Sequence, residues 1–338
     1  MMLSIRKIIT TFHKYISYLS CGLLFMACFL IGCAKEEKKE DPFPFSYVAE
    51  VDEKIERIRL ISQKNDIADS FFFITDLHWD YNDKKSPKII KYIESSVPIK
   101  TIVFGGDYLC RFNPDKDLAM ANLGECINAF NAEEYYAIIG NHEANWSGNE
   151  EDASSVISSS ESNQVLNQGR FEKSYFCVGN ESNHICKVFL DTNDFSKGGE
   201  QYNWLKDKLL SLNANETVFI FMHIYNDYKS PGIPVTLARP GNLLNELFLE
   251  ISDSMVCSVG GIFSGHTHRD FMEKNDLGYT ALSTTCDCRG NYYACDDLYV
   301  RNKGEFSEQA FDVVQVDTSN RKVYLTRIGA GYDREYTY

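Results

Sequence analysis

Residues 71–78 read FFFITDLH, a strand-like apolar run that is followed directly by Asp76 and then by His78. Continuous apolar runs of this length are typical of strands buried on both faces, as in a parallel sheet covered by helices. Polar side chains directly after such a strand lie at the carboxyl edge of the sheet, where ligands bind. The stretch therefore predicts an α/β fold and places Asp76 and His78 at its candidate site.

The same arrangement recurs along the chain. Strand-like apolar runs alternate with segments whose apolar residues have helical spacing, for example 88–93 and 119–130. Each later buried run also ends in polar residues that parallel strands bring to one edge. These runs and the residues after them are 101–104 with Asp107, 135–139 with Asn141 and His142, 217–222 with His223, and 260–264 with His266 and His268.

The residue types at this edge indicate a metal site. Five of the seven histidines of the chain belong to these loops, together with two aspartates and one asparagine. No cysteine accompanies them, so the expected ion is a hard-to-borderline divalent cation bound by nitrogen and oxygen.

The loops together resemble the calcineurin-like metallophosphoesterase superfamily. Its blocks are D-x-H, G-D, G-N-H-[DE], a lone H and G-H-x-H, and all occur here in that order across residues 76–268. The resemblance implies an α/β fold, a four-layer α/β/β/α sandwich with a single catalytic domain. It also implies two divalent metal ions, with Mn, Fe, Zn and Ni as candidates, and hydrolysis of phosphoric esters by a metal-bridged hydroxide that attacks phosphorus.

The resemblance also implies a role for each residue. Asp107 would bridge the two metals, His142 would stand near the leaving group, and Arg111 occupies the place of a phosphate-binding arginine, with an ordinary surface arginine as the equal alternative. Cys110 replaces a second aspartate that orients the equivalent histidine in the protein serine/threonine phosphatases. The implied ligands are Asp76, His78 and His268 for one metal, and Asn141, His223 and His266 for the other.

Several functions remain open at this level. The metal core serves phosphomonoesters and phosphodiesters alike, and a protein phosphatase or nucleotidase would differ only in its loops. A surface lipoprotein that keeps the fold as a non-catalytic binding module is a rival from another class, although no ligand is missing. A mononuclear zinc hydrolase would leave four ligand-type residues without a role.

The N-terminus has the features of an export signal. A basic segment with Arg6, Lys7 and Lys14 precedes an apolar stretch that ends in Leu-Ile-Gly-Cys33, which resembles a bacterial lipobox. We expect residues 1–32 to be a lipoprotein signal peptide and Cys33 to be lipidated, in preference to an uncleaved transmembrane anchor. The expected location is the periplasmic or cell-surface side of an outer membrane, with the lipid anchor as the membrane contact.

Composition and charge predict the division of the chain into segments and the kind of partner it binds. Residues 33–48 combine charges of both signs with Pro42 and Pro44 and predict a tether, and residues 49–338 predict the catalytic domain. A formal charge of −14 argues against a protein that coats nucleic acid. The expected partners are therefore a phosphoester substrate and the membrane.

The cysteines, the polar loops and the aromatic residues near the motifs each allow a structural and a functional interpretation. Cys177 and Cys186 flank a predicted hairpin turn and are candidates for a disulfide, as is Cys295 with Cys286 or Cys288; buried thiols are the equal alternative. The polar segments that follow ligand-bearing strands, at 146–170, 226–242 and 286–308, are either solvated surface or substrate-selecting loops. Aromatic residues near the motifs either pack or stack on a substrate, and these are Trp79, Trp146, Tyr225 and Tyr228.

Overall fold

Two six-stranded sheets form the framework of the protein. The computed structural model describes residues 43–180, 182–225, 240–288 and 299–338. The helices are α1 (Val48–Lys64), α2 (Ser86–Ser96), α3 (Lys116–Asn128), α4 (Ser159–Leu166), α5 (Glu200–Ser211) and α6 (Pro240–Ile251). The strands are β1 (Ile67–Ile74), β2 (Thr101–Phe104), β3 (Glu134–Ala137), β4 (Phe176–Asn180), β5 (Ile185–Leu190), β6 (Thr217–Met222), β7 (Ser258–Ser264), β8 (Phe271–Lys274), β9 (Thr280–Ser283), β10 (Ala310–Asp317), β11 (Lys322–Gly329) and β12 (Arg334–Thr337).

Each sheet has a parallel part that carries the ligand loops. The first sheet has the order β12-β11-β10-β1-β2-β3, in which β1, β2 and β3 are parallel and β10 pairs with β1 in the antiparallel sense. The second has the order β4-β5-β6-β7-β9-β8, with a parallel centre and antiparallel edge strands β4 and β8. The carboxyl ends of the parallel strands bear the predicted site in both sheets.

Aromatic side chains fill the space between the two sheets. Phe71 and Phe73 of β1 meet Phe221 of β6 and Phe263 of β7, with ring centroids 5.6 Å apart for Phe71 and Phe221 and 5.3 Å for Phe73 and Phe263. All four rings are fully buried. Burial of each such side chain contributes about 1.5–3 kcal/mol, so this layer holds the two sheets face to face.

Helices cover the outer faces. On the second sheet, alternate residues of β6 (Val218, Ile220 and Met222) turn away from the first sheet and pack with Leu209 of α5 and Leu247 of α6. On the first sheet, α1 lies against β10, where the Gln315 side chain donates to the Ile58 carbonyl at 3.2 Å. The α/β architecture of two sheets with helices outside them is confirmed.

Some elements differ from the sequence-based expectation. Helix α1 was not predicted, although its buried residues Val51, Ile55, Ile58 and Ile61 recur at helical spacing. Helix α4 lies in the polar segment 146–170, where Ser158 and Glu161 form a capping box that marks a helix start. A parallel sheet alone was expected from the first half of the chain, whereas strands from its far end extend that sheet in the antiparallel sense.

Residues Phe45–Tyr338 form one compact unit. Within the described ranges, no helix combines the length and apolar character that a membrane crossing requires. The predicted signal peptide, Cys33 and most of the predicted tether lie outside the described residues, as do Tyr228 and Cys295.

Among the described residues, Cys126, Cys177, Cys186 and Cys257 are free thiols. Cys177 pairs with Val188 across the β4–β5 hairpin, and Cys186 pairs with Gly179, so the two cysteines are diagonal neighbours instead of direct partners. Diagonal neighbours have Cα atoms about 7–8 Å apart, at or beyond the usual span of a disulfide.

Candidate metal centre

The backbone of the ligand loops is held in an uncommon conformation. Five predicted ligands have positive φ, with 53° at Asp76, 40° at His78, 55° at Asp107, 66° at His266 and 55° at His268. Residues other than glycine rarely adopt this left-handed region, and each costs on the order of 1–3 kcal/mol. Such strain persists only where the surrounding structure enforces it, and it concentrates at functional sites.

Two glycines make room for the aspartates. A Cβ atom at Gly140 would lie 2.2 Å from Asp107 Oδ1, and one at Gly265 would lie 2.4 Å from Asp76 Oδ2. Real Cβ atoms do not approach this closely, so any side chain at either position would displace a carboxylate. The glycines of the G-N-H and G-H-x-H blocks therefore have a steric role.

The first cluster contains Asp76, His78, Asp107 and His268, all buried. One potential ligand atom from each lies within 4.8 Å of the others. His268 Nε2 is 3.2 Å from Asp76 Oδ1 and 3.0 Å from His78 Nε2. The Asp76 carboxylate is fixed from behind because Thr75 Oγ1 and the His266 amide both donate to it.

The second cluster shares Asp107 with the first and adds His223 and His266. His223 Nε2 lies 3.1 Å from Asp107 Oδ2. Its Nδ1 is 2.7 Å from the Gly105 carbonyl, which can only accept, so Nδ1 donates the hydrogen and Nε2 faces the cluster. The buried Oδ1 of Asn141 receives no hydrogen bond from the residues that the structure describes.

These clusters fit two divalent metal ions. Two imidazole nitrogens 3.0 Å apart, as in His78 and His268, repel each other unless a proton or a cation lies between them. A buried amide oxygen without a donor, as in Asn141, is costly unless it binds a cation. Carboxylate oxygen and imidazole nitrogen suit Mn, Fe, Zn or Ni, and the identity of the ions is left open by this donor set.

The electrostatics of the clusters also favour cations. Burial raises the pKa of Asp76, but the adjacent His268 outweighs this and lowers that pKa to about 2, so the carboxylate stays charged. Burial lowers the pKa of His78 to about 4, which keeps its imidazole neutral. For His223, burial acts downward but Asp107 outweighs it and raises the pKa to about 10. A cation bound beside Asp107 would therefore displace a proton from His223.

His142 stands at the mouth of the site, outside both clusters. Its backbone amide donates to Asp107 Oδ1 at 3.0 Å, and its Nε2 lies 3.8 Å from Asp107 Oδ2. The side chain is 30% exposed, in contrast to the buried Asp76, His78 and His223. The ring of His142 meets that of His78 edge to face at 5.4 Å.

Glu143 follows His142 in the chain but does not orient its ring. Its buried carboxylate instead accepts hydrogen bonds from the backbone amides of Asp107, Tyr108 and Gly140, at 3.0, 2.8 and 2.6 Å. Burial, reinforced by the Asp107 charge, raises the pKa of Glu143 to about 8. Glu143 thus ties the Asp107 loop to the Gly140 loop, a role that the acidic position of the G-N-H-[DE] block could have indicated.

Arg111 lies at the surface near the ligand loops. Its guanidinium stacks on the Tyr81 ring at 4.0 Å, and the side chain is 62% exposed. The Asp80 carboxylate accepts from the backbone amides of Cys110 and Arg111, which fixes this loop. The backbone of Arg111 is therefore held by Asp80, while its guanidinium is exposed to solvent. The role of Arg111 in binding phosphate stays a prediction.

The aromatic residues near the motifs separate into two groups. Trp79 and Tyr225 are buried and pack in the interior, which removes them as stacking surfaces. Trp146 is 51% exposed at the end of the loop that carries Asn141 and His142. Trp146 is therefore the exposed aromatic residue among the candidates that the structure describes.

Comparisons with known proteins agree with this geometry. The sequence profile of the calcineurin-like phosphoesterase family matches residues 70–270. A crystal structure of a dimetal phosphatase from Danio rerio is 15% identical, with a TM-score of 0.56, and the match covers 81% of this chain and 100% of that one. At this identity the likeness concerns the fold alone. No curated protein sequence matches the chain significantly.

Two nucleotidase structures are more distant. A 5′-nucleotidase from Candida albicans is 14% identical with a TM-score of 0.37, over 73% of this chain and 47% of that one. The NAD nucleotidase of Haemophilus influenzae is 13% identical with a TM-score of 0.39, over 80% and 53% of the two chains.

The match to the family profile carries the assignment. It spans more than half of the 338 residues and includes every residue of both clusters. The chain therefore belongs to the calcineurin-like phosphoesterase family and is a phosphoric ester hydrolase.

Proposed function

We propose that the protein hydrolyses phosphoric esters at a dinuclear centre in which Asp107 is the shared ligand. The observation that carries this proposal is that Asp107 belongs to both ligand clusters, with its carboxylate between His223 and the Asp76 group. In this assignment one ion takes Asp76, His78 and His268, and the other takes Asn141, His223 and His266. A carboxylate suits the shared position because each oxygen can serve one ion.

Two ions held there would supply Lewis-acid activation of a water molecule and neutralise charge on the phosphoryl oxygens. The chain itself supplies the geometry. Glu143 fixes the backbone on both sides of Asp107, and Thr75 fixes the Asp76 carboxylate, so the ligands need no reorganisation when a substrate binds. The charged substrate then meets a rim that carries Arg111, a bidentate donor suited to phosphate.

His142 is the candidate general acid. Its imidazole is 30% exposed and belongs to neither ligand cluster. Its Nε2 lies 3.8 Å from Asp107 Oδ2, so the ring stays beside the shared carboxylate without a direct hydrogen bond to it. His142 would donate a proton to the leaving alkoxide oxygen.

The test is hydrolysis of p-nitrophenyl phosphate and bis-p-nitrophenyl phosphate by metal-stripped protein to which Mn, Fe, Zn or Ni is returned. We expect metal-dependent turnover, and the better substrate decides between a monoesterase and a diesterase. The matched control is Asp107→Asn, which keeps the shape of the side chain but removes the shared charge and abolishes turnover. Absence of turnover with every metal would favour a non-catalytic binding protein.

We further propose that the enzyme is exported and held at a membrane by lipid on Cys33. The support is the basic segment and apolar stretch that end in Leu-Ile-Gly-Cys33. The charged tether that follows would hold the catalytic domain away from the membrane surface.

A further inference from the structure

Arg327 of β11 is an arginine buried without contact to solvent. All five of its N–H groups have acceptors, which is the full donor capacity of a guanidinium. Two go to Asp312, the residue directly opposite on β10, at 2.9 and 3.2 Å. One goes to the Ala330 carbonyl at 2.7 Å, and the remaining two go to Asp270 at 3.0 and 2.7 Å.

Asp270 connects this arginine to the ligand loop. It lies two positions after His268, between β7 and β8 of the second sheet, and its side chain is 8% exposed. Besides Arg327, its Oδ1 accepts from the Thr285 amide at 3.0 Å. The Thr285 hydroxyl in turn donates to the His268 carbonyl at 2.8 Å. A continuous chain of hydrogen bonds thus leads from β11 of the first sheet to the backbone of His268.

Neighbouring residues leave room for the Asp270–Arg327 ion pair and balance the charges around it. A Cβ atom at Gly331 would lie 2.4 Å from Arg327 Nη1 and 2.8 Å from Asp270 Oδ2, so only glycine fits beside the pair. Arg334 compensates the second carboxylate, with its Nη2 2.6 Å from Asp312 Oδ2. The network therefore places two arginines opposite two aspartates, with Arg334 Nη1 also 3.5 Å from Asp270 Oδ1.

We propose that the Asp270–Arg327 ion pair positions His268 and thereby sets the affinity of one of the two metal ions, the one assigned to Asp76, His78 and His268. This inference rests on the proposed dinuclear centre. It concerns Arg327, which lies beyond the segment 70–270 that matches the family profile. Arg327 and Asp270 are positioning residues, since neither belongs to a ligand cluster.

The physical reason is the backbone conformation of His268. Its φ of 55° is unfavourable and must be imposed by neighbours. The Thr285 hydroxyl holds its carbonyl, and Asp270 holds Thr285, so loss of the Asp270 charge releases the constraint on this turn. The other cluster has different supports, because the Gly105 carbonyl fixes His223 and Glu143 fixes the Asp107 loop. We therefore expect the effect to be confined to one ion.

The test variant is Asp270→Asn in the full-length protein. Asparagine has the same shape, but its amide places a donor against the Arg327 guanidinium and removes the negative charge. Asp312 still accepts two hydrogen bonds from Arg327, and circular dichroism checks that the fold is retained. The matched control is Asp69→Asn. Asp69 of β1 and Lys187 of β5 form another ion pair between the two sheets, at 2.7 Å, with side chains 16% and 11% exposed.

The readout is the binding of Mn²⁺ to metal-stripped protein, followed by calorimetry and by electron paramagnetic resonance, which separates coupled pairs from isolated ions. We expect two binding steps in the unaltered protein and in Asp69→Asn. In Asp270→Asn one step should weaken by about 10–100-fold while the other stays unchanged, the range found for partners of metal ligands. The spectrum at limiting Mn²⁺ should then be that of isolated ions.

Two unchanged binding steps in Asp270→Asn would overturn the inference, and so would equal weakening of both. If Asp270→Asn fails to fold, Arg327→Lys decides, because lysine keeps the charge but cannot span both aspartates. Arg327→Lys must then show the same selective loss, and unchanged binding in it overturns the inference. Failure of the unaltered protein to bind a second ion would instead count against the proposed dinuclear function.

Discussion

Gly140 shows how tightly the chain surrounds the shared carboxylate. Gly140→Ala places a methyl group 2.2 Å from Asp107 Oδ1 and 2.5 Å from the Asp107 amide, so the Asp107 loop must move. We expect loss of paired metal binding and of turnover. Metal content after dialysis and the rate with p-nitrophenyl phosphate measure both. Gly179→Ala is the control, since apart from its chain neighbours no atom of the described residues lies within 4 Å of its Cβ position. Normal activity of Gly140→Ala would refute the steric argument.

A substitution at His142 tests whether this residue acts in catalysis and not in metal binding. His142→Ala removes an imidazole that belongs to neither ligand cluster. We expect both ions to remain bound while kcat falls by about 10²–10⁴-fold, the usual contribution of a general acid. Steady-state kinetics and metal analysis on the same preparation give the answer. Loss of metal from this variant would show that the proposed division of roles is wrong.

The sequence was sufficient to predict which residues are metal ligands, because each follows a buried strand within a short motif. The left-handed backbone of these residues could not be predicted, since local sequence rarely reveals a φ that distant contacts impose. The contacts of Glu143 also depend on the fold. Its carboxylate caps amides of Asp107 and Tyr108, which are more than thirty positions earlier in the chain.

At the scale of elements, α4 braces the loop that carries Asn141 and His142. The Ser158 hydroxyl caps its first turn and the Ser162 hydroxyl donates to the Glu143 carbonyl at 3.2 Å. We expect Ser158→Ala to lower the free energy of unfolding by about 1 kcal/mol, the usual cost of a lost N-cap. Urea denaturation measures this. Ser95→Ala, at an exposed helix end, is the control and should stay within about 0.5 kcal/mol. An unchanged midpoint for Ser158→Ala would contradict the capping role.

The elements that the sequence predicted best are the buried strands. The apolar runs 101–104 and 217–222 coincide with β2 and β6, because runs buried on both faces have sharp polar boundaries. Strands β8 and β12 were missed. They are short edge strands with several exposed residues, and such strands lack a continuous apolar signal.

At the scale of the whole molecule, the C-terminal strands complete the first sheet from the far end of the chain. Phe71 of β1 pairs with Val314 of β10, a contact that no local periodicity can reveal. The sandwich was therefore expected only through the resemblance carried by the motifs. The order of those motifs, by contrast, was sufficient to bring the ligands to one rim, because parallel strands share their carboxyl edge.

The proposed anchoring belongs to the same scale. We expect Cys33→Ser to block lipid attachment, because a serine has no thiol for the acyl transfer, and to leave unprocessed precursor or release the protein from the membrane. Metabolic labelling with a radioactive fatty acid and membrane fractionation measure these outcomes. Cys28→Ser, within the apolar stretch, is the control and should be processed normally. Normal lipid labelling of Cys33→Ser would refute the proposed lipid attachment at Cys33.

The shared position of Asp107 is tested most directly by a crystal structure of the protein soaked in Mn²⁺, with anomalous-scattering maps. We expect two peaks about 3.5–4 Å apart. One should lie among Asp76, His78 and His268 and the other among Asn141, His223 and His266, with a carboxylate oxygen of Asp107 at each. A single peak, or two peaks of which only one contacts Asp107, would contradict it.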